Sequence, residues 1–142
     1  MYKWVETGLK SFRDISMPQS TADGLHRLLN MSQVKDHKDL RVLNMSELTP
    51  LAEEMPYTLE RNPQLPLWFH LGVGMFNRQA ELYEKRIQSH YYDLILFEYI
   101  PTLNNFYPFR IRDSLRLNYK MVDSFAAPRR GETMGTVEVY MK

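Results

Sequence analysis

The feature that most constrains the fold of this chain is a nearly continuous apolar run from Asp93 to Ile100. A run of this length is typical of a strand that is covered on both faces of a sheet. The preceding segment, from Leu67 to Gln88, carries apolar side chains three and four residues apart, which predicts a helix with one apolar face. That face consists of Phe69, Val73, Phe76, Ala80, Tyr83 and Ile87. A helix that leads into a doubly covered strand implies a crossover between parallel strands.

Shorter patterns divide the rest of the chain into further helices and strands. Helical spacing follows the start signal at Pro18 to Thr21, and the run from Leu40 to Met45 is short, apolar and bounded by polar residues. Prolines at positions 50, 56, 63 and 66 predict an irregular loop over 56–66. In chain order, the remaining predicted elements are a helix that follows the start signal at 18–21 and ends near Met31, a strand over 40–45, a cap and first helical turn at 49–50, a helix over 108–118, and strands over 119–125 and 136–141.

This order of elements predicts a single α/β domain over residues 1–142, in which residues 1–17 form a peripheral segment. The layer rules favour a three-layer, Rossmann-like sandwich with parallel central strands and an antiparallel C-terminal edge hairpin. In the last strand, Val137 and Val139 alternate with Glu138 and Tyr140. This alternation predicts an edge strand with one exposed face.

The composition excludes several functional classes. The chain has 18 Lys and Arg residues against 17 Asp and Glu residues, whereas binding to nucleic acid requires several cations clustered on one face. It contains no cysteine, which excludes disulfides and thiolate metal sites. No stretch approaches the roughly 20 apolar residues of a membrane span. The four histidines have no metal-ligand spacing and no glycine-rich phosphate loop opens a helix, so we predict no metal, no cofactor and no nucleic-acid partner.

The predicted topology suggests a ligand site at one end of the sheet. Ligands of open α/β sheets bind beyond the carboxyl ends of the parallel strands. Glu47 follows the first of these strands and Glu98 lies near the end of the second, so both carboxylates are expected to face one crevice. The predicted ligand-binding set is Glu47, Glu98, Asn104, Asn105, Tyr107 and Arg110. In the alternative interpretation, Glu47 caps the turn at 49–50 and Glu98 pairs with an arginine.

Cations are concentrated in one stretch of the C-terminal half. They are Arg110, Arg112, Arg116, Lys120, Arg129 and Arg130. Arg110 and Arg112 lie near a predicted helix start, where free backbone N–H groups favour anions. Because side chains two residues apart diverge on a helix, the pattern favours a solvated face over an anion site.

Four segments carry a family resemblance. They are Tyr92–Leu96, Leu103–Pro108, Asn118–Val122 and Gly135–Tyr140. Together they resemble the soluble C-terminal domain of polytopic membrane glycosyltransferases of the protein mannosyltransferase and lipid A aminoarabinose transferase type. The resemblance covers roughly residues 20–142 and implies a small α/β module on the extracytoplasmic side. The chain lacks the family's membrane helices and acidic catalytic loop, so no catalytic residue is implied.

The function expected from these features is a non-catalytic accessory domain. It would associate with a membrane glycosyltransferase-like protein, as a partner or within one parent chain, and contact a glycan or a lipid-linked sugar. The alternative is a small Rossmann-like enzyme acting on a polar substrate. It would use the carboxylate pair of Glu47 and Glu98, or it would be methyltransferase-like, because the segment from Tyr92 onward also resembles the last third of a class I methyltransferase. A third possibility is an oligomerisation module that pairs through strand 136–141.

Overall fold

A computed structural model describes residues 4–13, 16–36, 40–46, 57–58, 77–100, 109–127 and 135–142. Its helices are α1 (Gln19–Asn30), α2 (Ser32–Lys35), α3 (Asn77–Gln88) and α4 (Phe109–Asn118), and a 3-10 turn spans Lys10–Phe12. Its strands are β1 (Trp4–Glu6), β2 (Ser16–Pro18), β3 (Leu40–Met45), β4 (Tyr57–Thr58), β5 (Leu94–Tyr99), β6 (Lys120–Ala126) and β7 (Thr136–Met141). Within these ranges, no helix is long and apolar enough to cross a membrane.

The chain folds as a mixed α/β structure around a five-stranded sheet. The strand order is β4-β3-β5-β7-β6. The β3 strand is parallel to both β4 and β5, whereas β7 is antiparallel to both β5 and β6. The predicted parallel pair and the predicted C-terminal hairpin are therefore confirmed.

Two hydrophobic clusters lie on opposite faces of this sheet. Leu94 and Leu96 of β5 belong to the cluster that contains α1, and Ile95 and Phe97 belong to the cluster that contains α3 and α4. Because alternate side chains of a strand point to opposite faces, β5 is packed on both sides. All four side chains are buried, as the continuous apolar run predicts.

Contacts along β6 hold helix α1 in place. Arg27 makes two hydrogen bonds to the carboxylate of Asp123, at 2.9 and 3.3 Å. At the end of β6, the hydroxyl of Ser20 accepts the N–H of Ala126 at 3.1 Å, and the hydroxyl of Thr21 donates to the Ala126 carbonyl. Ser20 and Thr21, which the sequence marks as a helix start signal, thus tie the helix to the sheet.

Gly24 brings α1 close to the sheet. A Cβ atom at this position would lie 2.1 Å from the ring of Phe125, far inside van der Waals contact. Glycine in the middle of a helix costs about 1 kcal/mol relative to alanine. The close approach of the Phe125 ring explains why glycine stands here.

The N-terminal strands form a separate two-stranded sheet. The β1 and β2 strands pair antiparallel, with Val5 opposite Met17. Met17 and Phe12 are buried in the same hydrophobic cluster as α1. The hydroxyl of Thr7 accepts the N–H of Leu9 at 3.0 Å, and the carbonyl of Thr7 lies 2.7 Å from Nε2 of His26. This segment therefore packs against α1 through both apolar and polar contacts.

Most predicted elements agree with the structure in position. The β3 and β7 strands have the predicted bounds, and α1, α4, β5 and β6 begin and end within about two residues of them, the usual uncertainty of helix and strand ends. Of the helix predicted over 67–88, the part from Asn77 onward is confirmed, and the remainder lies outside the described residues. The loop predicted over 56–66 contains the two-residue strand β4.

One prediction about β7 is wrong. The sequence predicts that 136–141 is a half-exposed edge strand, but β7 lies between β5 and β6 and is hydrogen-bonded on both sides. Glu138 and Tyr140, which were expected on its solvent face, are buried. Strand 136–141 therefore has no open edge for oligomerisation, and the outer strand of the hairpin is β6.

Candidate functional site

Strands β3 and β5 end side by side. Met45 at the end of β3 lies opposite Phe97 in β5. Here Oδ1 of Asn44 accepts the N–H of Ser46 at 3.2 Å, which forms a short turn at the end of the strand. We refer to this side of the sheet, where β3 and β5 end, as its carboxyl end. In open α/β sheets, this is the end where ligands bind.

Of the six residues predicted to bind a ligand, one has a described side chain. Glu98 is 0% exposed and, by strand alternation, shares the α1 face of β5 with Leu96. Arg110 belongs to α4, but its side chain lies outside the described residues. Glu47, Asn104, Asn105 and Tyr107 also lie outside them. The two-carboxylate crevice therefore stays a prediction, and its premise that β3 and β5 are parallel neighbours is confirmed.

At the carboxyl end, on the face of the sheet opposite to Glu98, a cluster of polar side chains connects α4 to β7. Nε and Nη2 of Arg112 donate to the two carboxylate oxygens of Glu138, each at 2.8 Å. The side chains are only 18% and 7% exposed. A bidentate pair of this kind fixes both position and orientation of the guanidinium group. Arg112 thus has a fixed position near the ends of the parallel strands.

Two tyrosines complete this cluster. The hydroxyl of Tyr140 donates to Oε1 of Glu138 at 2.9 Å. The guanidinium carbon of Arg112 lies 3.8 Å from the ring centroid of Tyr99, the last residue of β5. At this distance, the cation and the ring attract each other. We name Tyr99, Arg112, Glu138 and Tyr140 the Arg112 cluster.

The Arg112 cluster contains an ion pair. The hydrogen bonds to Glu138 raise the pKa of Arg112 above its ordinary value. Burial raises the pKa of Tyr140, and its bond to Glu138 raises it further. The charge of Arg112 is therefore balanced by its partner in the pair, and Tyr140 holds its proton more strongly than an exposed tyrosine.

Sequence reasoning did not find the Arg112 cluster. It assigned Arg112 to a solvated cationic face and Glu138 to an exposed strand face, and both assignments are wrong. The pairing joins residues 26 positions apart, which no local pattern reveals. The one signal in the sequence was Glu138, which stands between two valines in a mostly apolar strand. If such a strand is central, its carboxylate is buried and needs a hydrogen-bonding partner.

Among the described side chains, no three His, Asp or Glu residues are grouped so that they could hold a metal ion. In the same ranges, Ser114 has a buried hydroxyl with no hydrogen-bond partner. It lies on α4, two residues from Arg112, and side chains two apart on a helix point in different directions. Ser114 therefore does not belong to the Arg112 cluster.

Comparisons with known proteins add no assignment. No family model matches the chain, and no curated protein or solved structure matches it significantly. Function is therefore inferred from the sequence and from the geometry described above.

Proposed function

We propose that this chain is a non-catalytic binding domain for a neutral, carbohydrate-like ligand, and that it acts as an accessory to a membrane glycosyltransferase-like protein. The proposal includes the finer architecture, a three-layer Rossmann-like sandwich. The packing of both faces of β5 supports that architecture. The resemblance of roughly residues 20–142 to the soluble domains of those transferases supports the membrane partner and an extracytoplasmic location.

The choice of a neutral ligand rests on the ion pair in the Arg112 cluster. Arg112 is already neutralised by Glu138, so the cluster does not attract an anion by net charge. The two bonds to Glu138 use Nε and Nη2, and a guanidinium group has further N–H donors on Nη1. Fixed donors beside a half-buried tyrosine ring suit a sugar, which offers hydroxyl oxygens and an apolar C–H face.

A titration monitored by NMR tests this proposal. Methyl α-mannoside is added to the full chain, and the amide signals of Tyr99, Arg112 and Glu138 are expected to shift together. Arg112→Lys should weaken the binding about tenfold, because lysine cannot form the bidentate pair that positions the donors. Arg27→Lys is the matched control, since its partner Asp123 lies on the opposite face of the sheet, and it should leave the affinity unchanged.

The outcomes separate binding from misfolding. If Arg112→Lys loses the dispersed signals of a folded domain, Tyr99→Leu serves as the second variant, because it keeps the ion pair and removes only the aromatic ring. The absence of any saccharide-dependent shift in the wild-type chain would overturn the proposal. Equal affinities for both variants and the control would overturn it as well.

One observation favours the enzyme alternative. Glu98 is a fully buried carboxylate at the carboxyl end, and buried carboxylates serve some enzymes as general acids or bases. A methyltransferase would bind S-adenosylmethionine, yet the sequence has no glycine-rich turn for it. Calorimetric titration with S-adenosylmethionine distinguishes the two functions, and micromolar affinity would replace the accessory role with an enzymatic one.

A further inference from the structure

The opposite end of the sheet has a different surface. Here β3 and β5 begin, β7 ends and β6 begins, so that Leu94 lies opposite Met141, and Met141 lies opposite Lys120. We call this the amino end. Helices α3 and α4 also finish here, immediately before Ser89 and Tyr119. The ends of several helices and strands therefore lie at one side of the molecule.

Three large apolar side chains are exposed at the amino end. Leu117 is 85% exposed, Met121 is 50% exposed and Val122 is 38% exposed. Among the side chains that the structure describes, they are the exposed large hydrophobics, and they lie within six consecutive residues. Val122 is the extra residue of a β-bulge, because Met121 and Asp123 pair with the adjacent residues Tyr140 and Val139. An apolar patch on an otherwise polar surface marks an interaction site.

Cations outnumber carboxylates on the elements that meet at the amino end. The cations are Arg41, Lys85, Arg86, Arg116, Lys120 and Lys142, and the carboxylates are Glu84 and Asp93; Lys35 and Asp36, at the end of α2, add one charge of each sign. Basic residues in the last turn of a helix are common, because they complement the helix dipole. This explanation covers the cations of α3 and α4. It does not cover Arg41 and Lys120, which lie at strand ends, whereas Lys142 is paired with Asp93.

An aromatic side chain lies among these cations. The guanidinium carbons of Arg41 and Arg86 lie 4.6 and 4.3 Å from the ring centroid of Tyr91. Both guanidinium groups therefore lie against the same tyrosine ring. Such a concentration of positive charge favours an anionic partner.

A second copy of the chain is the less suitable partner. Pairing through the outer strand β6 would require open backbone groups, yet both backbone groups of Ala126 are bonded to α1. The N–H of Ser124 is bonded to Asp123, and the bulge at Val122 interrupts the strand. These features are how proteins protect edge strands from pairing. Two amino ends would also repel each other, since each carries an excess of cations.

We propose that the amino end is a docking surface for an anionic lipid bilayer. Leu117, Met121 and Val122 would enter the headgroup region, and the surrounding cations would contact the lipid phosphates. Exposed apolar side chains flanked by Lys and Arg are typical of peripheral membrane binding. The inference deepens the proposed association with a membrane protein and does not require the saccharide site, which lies at the other end of the sheet.

Vesicle co-sedimentation of the full chain tests this inference. Vesicles of phosphatidylcholine alone are compared with vesicles of equimolar phosphatidylcholine and phosphatidylglycerol. Binding is expected on the anionic vesicles only, and it should weaken as salt is added. Lys120→Gln should lower the partition coefficient about fivefold, in line with the contribution of one cation near an anionic surface.

Two further variants make the test specific. Leu117→Ser should lower partitioning on anionic vesicles, because it removes an exposed apolar side chain. Lys10→Gln is the matched control: it removes one exposed cation from the N-terminal segment and should change the partition coefficient far less than Lys120→Gln. Equal binding to both kinds of vesicle, or equal effects of Lys120→Gln and Lys10→Gln, would overturn the inference. So would a dimer, seen by analytical ultracentrifugation, that Leu117→Ser abolishes. Saccharide titration of the same preparations shows separately whether the proposed function holds.

Discussion

The two ends of the central sheet use arginine in opposite ways. At the carboxyl end, Arg112 is mostly buried, hydrogen-bonded to Glu138 and positioned over the ring of Tyr99. At the amino end, Arg41 is exposed and contacts the ring of Tyr91. In the sequence both arginines have charged neighbours, and only the folded structure shows that one is mostly buried and the other exposed. Burial, rather than residue type, determines which cation stabilises the fold and which is available to a partner.

The same contrast holds for the ion pairs at the two ends. Lys142 lies 3.1 Å from Asp93, but their side chains are 48% and 31% exposed. Water and salt screen such a pair, whereas the pair between Arg112 and Glu138 is largely removed from solvent. Three sets of variants test this difference between the two ends. They are given in order of decreasing expected effect on stability.

Leu96→Ala tests whether both ends depend on one core. Leu96 lies midway along β5 and is fully buried, so its truncation should lower the free energy of unfolding by about 2 to 5 kcal/mol. Denaturant melts followed by fluorescence and by circular dichroism should show the same single transition. A loss below about 0.5 kcal/mol would contradict the assignment of β5 as a doubly covered strand, given that surface substitutions remain in that range.

Glu138→Gln tests the buried pair of the carboxyl end. The substitution leaves the Arg112 cation without its partner, so the free energy of unfolding should fall by about 3 kcal/mol. Lys142→Gln is the matched control at the amino end, where loss of an exposed pair should cost less than about 1 kcal/mol. Equal losses in the two variants would show that the ends do not differ as described.

The alkaline stability of the protein should depend on Tyr119 at the amino end. Its hydroxyl donates to the Tyr92 carbonyl at 2.8 Å and accepts the Tyr92 N–H at 3.2 Å. Burial raises the pKa of Tyr119 to about 12, from an ordinary value of 10.0. A pKa that is raised in the folded state means that the contribution of Tyr119 to stability is complete below pH 10 and is lost as the pH rises through 12. The loss of unfolding free energy should reach about 2 to 3 kcal/mol, because each of the two pKa units corresponds to about 1.4 kcal/mol.

Tyr119→Phe provides the comparison for this titration. The pKa of Tyr140 is also raised by burial, so both proteins should lose stability at high pH. The wild-type chain should lose more than Tyr119→Phe between pH 10 and pH 12. Parallel stability curves for the two proteins across this range would contradict the role given to Tyr119.

How much the sequence reveals depends on how local the cause is. The bounds of β3 and β7 follow from short apolar patterns, and the parallel pairing of β3 with β5 follows from a helix placed between two strands. The burial of Glu138 does not follow, because its partner Arg112 comes from another element. Since Glu138 looks like a solvent-facing residue in its own strand, the sequence predicted an edge where the structure has a central strand.

The candidate site shows the same limit. Topology alone points to the carboxyl end, where β5 places Glu98, and the role of Glu98 in ligand binding stays a prediction. Its chemistry depends on bonds between residues that are distant in sequence. The Arg112 cluster joins one helix and two strands, and only their packing brings those side chains together.

Gly24 has a consequence for how this sequence can change over time. The ring of Phe125 occupies the space that any side chain at position 24 would need. A larger residue at position 24 therefore becomes acceptable only if position 125 becomes smaller at the same time. In homologous sequences, positions 24 and 125 should therefore covary. An alignment of such sequences would reveal the contact between α1 and β6 without a structure.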